Sequence, residues 1–543
     1  MRFAPLALLV LAAPVAAQVA PLDLRPGPAS SEPVPVGEAG GRLVFAADDG
    51  DGRGLFATDG AAVERLADGV AFYQSARLDG SLYFFLCRRG DASWQCSLAR
   101  TDGTAAGTAR VAALPDAERA AYLTATDSRL FFLLRPTGGT ETGTQLWTSD
   151  GTASGTRAVE GAGPRINDGL RYVVTASAER VYFSAGDATE LWVSDGEGAE
   201  QAAAFPSTRG DGFFYGTALG LGERALALVA EAETPGAYSV GADGTQLVAP
   251  LAVGSSNATA VPFGGGVLFG AYAGDPGGPN VPLPVAFYAA GADGVTRVSP
   301  DLPATDLRSH AVVSPLGDGS VALAVGRSPT EVWRVAPGGQ AQFAFRLPDG
   351  ESPYSRSGLF DAAREARPAP AVALADGALH ALTLDGDGSG RSVFSLWRDA
   401  GDGTARLVAR YTQPEDLRLS PQFAEAGGTV YITFWTPEAG LEIAVLGRAG
   451  TPVEPPGPDV RLALQIESAH PARDLARLRL AAPAGEAVRV EAFSALGRRV
   501  AVLHDGPAAG AVDFDVSGLA AGVYVVRASA GAERASVRVV VAR

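Results

Sequence analysis

The feature that most constrains this chain is a short apolar segment that recurs along most of its length. It reads LVF at 43–45, LYF at 82–84, LFF at 130–132 and VYF at 181–183, and weaker copies follow at 225–227, 267–269, 321–323, 379–381 and 430–432. The intervals run from 39 to 58 residues, about 48 on average. A period in this range is typical of supersecondary units that stack on one another.

Each unit continues with a second apolar segment that ends in a turn sequence. The clearest copies are QLWTSDGT at 145–152 and ELWVSDG at 190–196. Their Asp-Gly pair supplies the positive φ angle that a tight hairpin turn needs. A third segment with strand character then leaves the turn, as at 109–112 and 157–159. With the segment that leads into the first motif, each unit predicts three or four antiparallel strands.

Small antiparallel sheets repeated at this period are typical of β-propeller blades. We expect the recurring Trp and Phe side chains to fill the wedge between neighbouring blades, because a blade cannot bury that face alone. The main alternative, a right-handed β-helix, has repeats about half as long. Residues 18–448 therefore predict an all-β propeller with eight or nine blades, seven being the lower alternative.

The repeats resemble a family of exported bacterial proteins with a consensus near ELWxSDGTxxGT. The best copies are LWTSDGTASGT at 146–156 and LARTDGTAAGT at 98–108, and LWVSDGEGAE at 191–200 is a third. The resemblance is strong over 80–200 and weakens beyond about 300, where the second Gly-Thr is lost. It implies a propeller-like structure and no particular reaction.

The first 17 residues predict a signal peptide. Met1 and Arg2 precede an apolar run that is too short to span a bilayer and ends in small residues, so we expect cleavage between Ala17 and Gln18. No later stretch reaches 18 uninterrupted apolar residues, which predicts no transmembrane segment. We expect the protein to be secreted or held at the outer cell surface, by way of the periplasm.

Two cysteines flank a polar turn in FFLCRRGDASWQCSLAR. The pattern predicts a β-hairpin with Cys87 on one arm and Cys96 on the other. In an oxidising compartment this pair favours a disulfide across the hairpin. A zinc site would need more ligands than these two thiols.

The C-terminal part of the chain differs in composition and charge. Residues 449–460 carry four Pro and predict a stiff linker. Residues 461–543 hold 11 Arg against 8 acidic residues, a net charge of +3, which leaves −19 for the rest of the chain. Seven short alternating segments within this region predict an immunoglobulin-like β-sandwich.

This region resembles the C-terminal sorting domain of the type IX secretion system. The matching segments are ALGRRV at 495–500, LAAGVYVVR at 519–527 and the closing VVVAR, and they include Gly497, Arg498, Gly522, Val523, Tyr524 and Arg543. The family usually begins with a Tyr-Pro-Asn-Pro-like segment, where this chain has SAHPA at 468–472. The resemblance implies the type IX machinery as a partner, passage through the outer membrane, and removal of this domain.

Charge and motifs exclude several classes of function. The net charge of −16 argues against nucleic acid or anionic lipid as the main partner of the whole chain. The four histidines, His310, His380, His470 and His504, form no recognisable catalytic motif, and His380 is expected in the core.

One loop has partial calcium-binding character. Asp385, Asp387 and Ser389 place oxygens at alternate positions, but Leu396 stands where a bidentate Glu is needed, which favours a Gly-rich turn. We therefore predict no metal and no cofactor, with calcium at this loop as the alternative.

The favoured hypothesis is a binding or display protein whose propeller presents a surface to an unknown carbohydrate or protein ligand. The alternative is a secreted polysaccharide-active enzyme, a glycosidase or lyase, that uses acidic residues at the propeller axis. A third class is a structural surface coat. The enzyme hypothesis differs from the binding and surface-coat hypotheses in one structural requirement, which is that carboxylates from different blades lie close together at the propeller axis.

Overall fold

The computed structural model consists of β-strands and connecting segments, and no helix occurs among the residues it describes. It describes residues 20–89, 94–115, 117–136, 144–161, 174–185, 190–205, 216–230, 233–253, 260–272, 283–291, 294–305, 311–326, 329–354, 370–386, 392–414, 421–448, 463–466, 472–473, 475–481, 487–494, 498–507, 511–530 and 533–542. The chain divides into two compact units, Met1–Thr451 and Pro452–Arg543.

The first half of the first unit begins with a two-residue strand and continues as four groups of strands. Its strands are β1 (Ala20–Pro21), β2 (Val34–Ala39), β3 (Arg42–Asp48), β4 (Arg53–Thr58), β5 (Val63–Asp68), β6 (Val70–Leu78), β7 (Ser81–Arg89), β8 (Trp94–Thr101), β9 (Ala109–Ala113), β10 (Ala117–Ala125), β11 (Leu130–Pro136), β12 (Gln145–Ser149), β13 (Arg157–Ala158), β14 (Val174–Ser177), β15 (Arg180–Ala185), β16 (Glu190–Ser194) and β17 (Ala199–Ala204).

Five further groups follow among the described residues of this unit. They contain β18 (Gly216–Leu221), β19 (Arg224–Val229), β20 (Gly236–Gly241), β21 (Gly244–Ala249), β22 (Ala252–Val253), β23 (Ala260–Phe263), β24 (Gly266–Tyr272), β25 (Leu283–Gly291), β26 (Gly294–Arg297), β27 (Leu302–Thr305), β28 (Ala311–Pro315), β29 (Val321–Val325), β30 (Glu331–Val335), β31 (Ala341–Arg346), β32 (Ser352–Pro353), β33 (Val372–Ala375), β34 (Ala378–Gly386), β35 (Ser392–Asp399), β36 (Ala405–Thr412), β37 (Gln422–Ala426), β38 (Thr429–Thr436) and β39 (Gly440–Arg448).

Strands within each group pair with their chain neighbours in antiparallel fashion. In the simplest case the sheet order is β2-β3-β4-β5, and the same order recurs in β14–β17, β18–β21 and β28–β31. The groups β6–β9 and β10–β13 join into one sheet through a single residue pair, Ala117 opposite Trp94. The recurring apolar motif forms the second strand of its group. In β3 the five central residues are buried, and in β29 all five residues are buried.

The groups are arranged in a closed ring. The first strand of each group contacts the first strand of the next, from β2 through β6, β10, β14, β18, β23 and β28 to β33, then β33 contacts β38 and β37 returns to β2. Among the described residues, one buried apolar cluster lies between each pair of neighbouring groups. This closed ring of radial antiparallel sheets confirms the β-propeller, and we call each group a blade, numbered from β2–β5.

The ring closes because the beginning of the unit completes its last blade. Strand β1 pairs with β39, Ala20 lying opposite Val445, and so becomes the outermost strand of the blade β37–β39. The Glu442 carboxylate, 1% exposed, accepts hydrogen bonds from the Ser31 amide at 2.9 Å and the Ser31 hydroxyl at 2.6 Å. Burial raises the pKa of Glu442, although the hydrogen bonds from Ser31 and Leu24 oppose that shift.

Tyrosines in three second strands reach the next blade. The Tyr182 hydroxyl donates to the Glu223 carbonyl at 3.2 Å, and the Tyr431 hydroxyl donates to the Thr58 carbonyl at 3.5 Å. The Tyr83 hydroxyl lies so close to Gly151 that a Cβ atom there would come within 2.5 Å of it. Polar contacts therefore supplement apolar burial between blades, including the pair at which the ring closes.

The predicted disulfide is present. Cys87 and Cys96 lie directly opposite each other on β7 and β8, and their sulfurs are bonded. Both residues are almost fully buried in the cluster between the second and third blades. The bridge therefore joins the two arms of a hairpin that also contributes to an inter-blade core.

The second unit is a small β-sandwich, as predicted, with seven strands among its described residues. They are β40 (Ala463–Ile466), β41 (Leu475–Ala481), β42 (Ala487–Ser494), β43 (Arg499–Pro507), β44 (Ala511–Asp515), β45 (Gly522–Ala530) and β46 (Glu533–Val541). One sheet has the order β40-β41-β44 and the other β43-β42-β45-β46. A single apolar cluster drawn from both sheets fills the space between them, which is the arrangement of an immunoglobulin-like sandwich.

Replacement of both cysteines by Ala tests the contribution of the disulfide. The bond closes a loop with a sequence separation of 9, so its loss lowers the free energy of unfolding by about 2–3 kcal/mol. Urea denaturation followed by intrinsic fluorescence measures this difference. A reductant should lower the stability of the parent protein toward that of the variant and leave the variant unchanged. Equal stability of the two proteins without reductant would contradict this expectation.

Candidate functional site

The Asp-Gly repeat turns satisfy their own polar groups. The Asp102 carboxylate accepts hydrogen bonds from the Thr104 amide at 2.9 Å and the Thr104 hydroxyl at 2.7 Å, and the Thr104 hydroxyl in turn accepts from the Gly107 amide at 3.0 Å. A Cβ atom at Gly107 would lie 2.1 Å from the Asp102 carboxylate, which explains the second Gly of the repeat. The turn around Asp150 repeats these bonds.

One of these turns also attaches its blade to the preceding one. The Arg42 guanidinium of the first blade donates to the Gly103 carbonyl of the second blade at 2.6 Å and forms an ion pair with Glu64. Glu64 also accepts from the Ala105 amide at 3.1 Å. The aspartates Asp102 and Asp150 of the repeat motif therefore fix the geometry of their turns, and they are not the candidate site.

A different pair of carboxylates lies where the ring closes. The sequence Glu-Ala-Gly-Gly occurs at 38–41 and again at 425–428, at the end of the innermost strands β2 and β37. These strands are neighbours in the ring, and a Cβ atom at Gly427 would lie 2.0 Å from the Gly41 carbonyl oxygen. Adjacent blades thus present Glu38 and Glu425 at the same level beside the axis.

A third carboxylate comes from the turn between β28 and β29. Gly317 in this turn lies against Glu425, and a Cβ atom there would come within 2.0 Å of the Glu425 carboxylate oxygen. The next residue, Asp318, acts electrostatically on Glu425, as does Glu38. Three blades therefore bring carboxylates together at one end of the ring, and we define Glu38, Asp318 and Glu425 as the seam carboxylates.

The seam carboxylates differ in their partners. Glu38 forms an ion pair with Arg77 at 3.2 Å, and Asp318 forms one with Arg334. Although burial opposes ionisation of Asp318, hydrogen bonds from Ser320 and the charge of Arg334 hold its pKa below its usual range. Among the described residues, no cation forms an ion pair with Glu425.

Glu425 is the member of the group whose pKa is raised. The residue is exposed to solvent, but partial burial of its carboxyl raises the pKa, and the charges of Glu38 and Asp318 raise it further. A carboxyl whose pKa is raised in this way is suited to donate a proton. Within the described ranges no group of three or more His, Cys, Asp or Glu side chains is placed to hold a metal ion.

The residues that the sequence singled out have different locations. Asp385 lies on β34, whereas its proposed partners Asp387 and Ser389 fall outside the described residues, as do Ala17, Gln18, Gly497 and Arg543. His380 is buried and its pKa is lowered to about 4 by burial and the charge of Arg398, which agrees with a core position. His310 and His470 also lie outside the described residues.

The motif of the C-terminal unit is partly visible. Gly522, Val523 and Tyr524 begin β45, and Arg498 is exposed just before β43. The Tyr524 hydroxyl donates to the Ala520 carbonyl at 2.9 Å, while its ring packs edge-on against Phe514. This tyrosine therefore closes one end of the sandwich core.

The seam carboxylates were not among the predicted site residues. Their signal was the repeated Glu-Ala-Gly-Gly tetrapeptide, which marks two equivalent positions nearly 400 residues apart in sequence. Recognising it as a site requires knowing that these two blades are neighbours. That information comes from ring closure and not from local sequence.

Comparisons with known proteins find only distant structural similarity. No protein-family model matches the chain, and none of the curated proteins matches it in sequence. Among solved structures, the chain is similar to the β-propeller domain of the trilobed protease of Pyrococcus furiosus, with 9% identity, 72% of this chain and 100% of that chain covered, and a TM-score of 0.37.

Two further solved structures give similar values. Apo AztD of Citrobacter koseri is 12% identical, covering 68% of this chain and 96% of that chain with a TM-score of 0.34. The GH74 enzyme of Niastella koreensis is 12% identical, covering 83% and 72% with a TM-score of 0.26. None of these likenesses bears on what this chain binds. In the described part of the chain there is no helix with the length and apolar character to cross a membrane.

The raised pKa of Glu425 predicts a pH-dependent effect of Glu425→Gln. Below the ordinary value of 4.5 the carboxyl is neutral in both the folded and the unfolded chain, so this group imposes no penalty there. As the pH rises through the raised pKa, ionisation disfavours the folded state. The parent protein should therefore lose stability relative to the variant between acidic and neutral pH, as measured by urea denaturation at a series of pH values.

Glu64→Gln is the matched control with the opposite sign. The hydrogen bond from Arg42 and that from the Ala105 amide hold the pKa of Glu64 below its usual range, so its ionised form stabilises the fold. That variant should lose stability relative to the parent as the pH rises. If the stability of both variants relative to the parent changes in the same direction as the pH rises, the raised pKa assigned to Glu425 is wrong.

Proposed function

We propose that the protein is an exported propeller that binds a carbohydrate or protein ligand at the cell surface, after delivery by the type IX secretion system. The observation that carries this proposal is the division of the chain into a closed propeller and a separate C-terminal sandwich. The sandwich has its own apolar core, so it is built as an independent module. A removable sorting domain requires that independence.

The position of the motif residues supports the sorting assignment. Tyr524 is 8% exposed and belongs to the sandwich core, while the neighbouring Val523 is 43% exposed. Tyr524 thus stabilises the fold, whereas the adjacent Val523 faces solvent. A recognition signal needs both a fixed backbone and an accessible side chain.

The state of the repeat acids supports binding rather than catalysis as the main role. Asp102 and Asp150 are engaged with the hydroxyls and amides of their own turns, which holds the pKa of both carboxyls below the usual range. Groups held in this way are unsuited to proton transfer near neutral pH. The many acids of the propeller therefore stabilise a scaffold that can present its surface to a ligand.

Deletion of residues 461–543 tests the export route. We expect the truncated chain to accumulate in the periplasm of a type IX host, whereas the full chain reaches the surface or medium, as measured by fractionation and immunoblotting. Tyr524→Phe, which keeps the ring in the core and removes only the hydroxyl, serves as a control that should still be exported. Unchanged export of the truncated chain would overturn the sorting assignment.

The seam carboxylates favour a second candidate, a polysaccharide-active enzyme. Glycosidases use two carboxyl groups, one of them with a raised pKa, and here Glu425, whose pKa is raised, acts electrostatically with Glu38, which pairs with Arg77. Glycan arrays and reducing-end assays on a polysaccharide panel distinguish the two candidates. Binding without turnover supports the first proposal, whereas turnover that Glu425→Gln reduces by at least about 100-fold establishes the second.

A further inference from the structure

The outward face of the four-stranded sheet in the sandwich concentrates positive charge. We define the cationic face as the outward-pointing described residues of β43, β42, β45 and β46. It contains five arginines and two acidic residues together with an apolar set, namely Arg489, Arg499, Arg527, Arg534, Arg538, Glu491, Asp505, Phe493, Val502, Val523, Val525 and Val540. Its excess of three positive charges contrasts with a whole-chain charge of −16.

Strand register places these residues in rows across the sheet. Arg489 lies opposite Asp505 on one side and Ser529 on the other, and Ser529 lies opposite Arg534. The next rows join Val502, Glu491 and Arg527, and then Arg499, Phe493, Val525 and Arg538. The cationic face is thus one continuous surface.

Both acidic residues of this face are already neutralised. Asp505 forms an ion pair with Arg489 at 2.8 Å, and Glu491 is paired with Arg489 and Arg499 at 3.3 and 2.8 Å. The Arg527 guanidinium lies 5.4 Å above the Phe493 ring. Within the described part of the sandwich, no carboxylate pairs with Arg527, Arg534 or Arg538. Three exposed positive charges on β45 and β46 therefore lack a counter-charge.

Apolar side chains lie among these arginines. Val502 and Val523 are 47% and 43% exposed, which places them among the most exposed large apolar residues of the described chain. Val525 and Phe493 are partly exposed between them. An exposed surface that combines guanidinium groups with apolar side chains suits a membrane interface, where the charges meet phosphate groups and the apolar atoms enter the headgroup region.

The opposite sheet provides an internal comparison. On its outward face Arg477 is paired with Asp513 through two hydrogen bonds at 2.8 and 2.9 Å. Among the side chains that the structure describes, the arginines without an acidic partner on β45 and β46 thus contrast with this paired arginine. A general need for solubility does not explain this contrast, because it would act on both faces.

We propose that the cationic face binds the surface of an anionic phospholipid membrane. The mixture of exposed guanidinium groups and exposed valines favours an anionic membrane as the partner, because the charges can meet lipid phosphates while the valines enter the headgroup region. The net charge of the chain argues against anionic lipid as its main partner, but screening over about 8 Å at physiological salt lets this face act locally. The inference concerns the sandwich itself and does not depend on the export route.

The test measures co-sedimentation of the full chain with vesicles of phosphatidylcholine containing about one third phosphatidylglycerol, and with pure phosphatidylcholine. The double variant Arg534→Glu/Arg538→Glu changes the unpaired charges at exposed positions of one strand. The control double variant Arg100→Glu/Arg406→Glu makes the same change in net charge at exposed strand positions of the propeller. The control variant keeps the same N-terminal segment as the parent, so it accounts for any contribution of that segment to vesicle binding.

We expect the parent and the control variant to bind anionic vesicles and the Arg534→Glu/Arg538→Glu variant to bind at least about tenfold more weakly, with the difference vanishing at high salt. Equal loss in both variants would show a net-charge effect and overturn the proposal. Equal binding to neutral and anionic vesicles would also overturn the proposal. Absence of binding to either kind of vesicle would overturn it as well, and would point to an acidic protein as the partner. Circular dichroism of both variants verifies that the fold is retained.

Discussion

The propeller depends on burial between neighbouring blades. Second strands such as β3 and β29 are buried along nearly their whole length, so both faces of each sheet need a neighbour. A single blade in water would expose one or both of these faces, and the hydrophobic effect would not offset the conformational entropy lost in ordering it. Every blade therefore stabilises two others, and the ring has no free end.

Closure of that ring joins the most distant parts of the unit. The cluster between the last and first blades combines Phe45 and Phe56 with Tyr431 and Ile443, and Leu22 and Leu24 pack against it. Glu442 adds a buried anchor for Ser31 at the same place. The entropy lost in closing so long a loop grows only slowly with length, so a cluster of this size can offset it. The seam carboxylates lie beside this junction, which couples the candidate site to the integrity of the ring.

Local features of the sequence predicted most of the fold. The apolar second strands, the Asp-Gly turns and the Cys87–Cys96 hairpin all depend on residues close together in the chain, and the structure contains them. The innermost strands were harder to identify because a strand such as β37, QFAEA, alternates only weakly. The meeting of Glu38, Asp318 and Glu425 could not be predicted, since it depends on which blades become neighbours. The cationic face could not be predicted for a related reason. The net charge of the segment does not show which arginines share one face of a sheet, because that depends on strand register.

The most direct test of this account is a cross-link between the two ends of the propeller. Ala20 lies opposite Val445 across β1 and β39, so cysteines introduced at both positions should form a disulfide. Non-reducing peptide mapping by mass spectrometry should find one intrachain bond between these positions in monomeric protein, with Cys87–Cys96 retained. Free thiols at both positions, or bonds between different molecules, would contradict a ring closed by its own first strand.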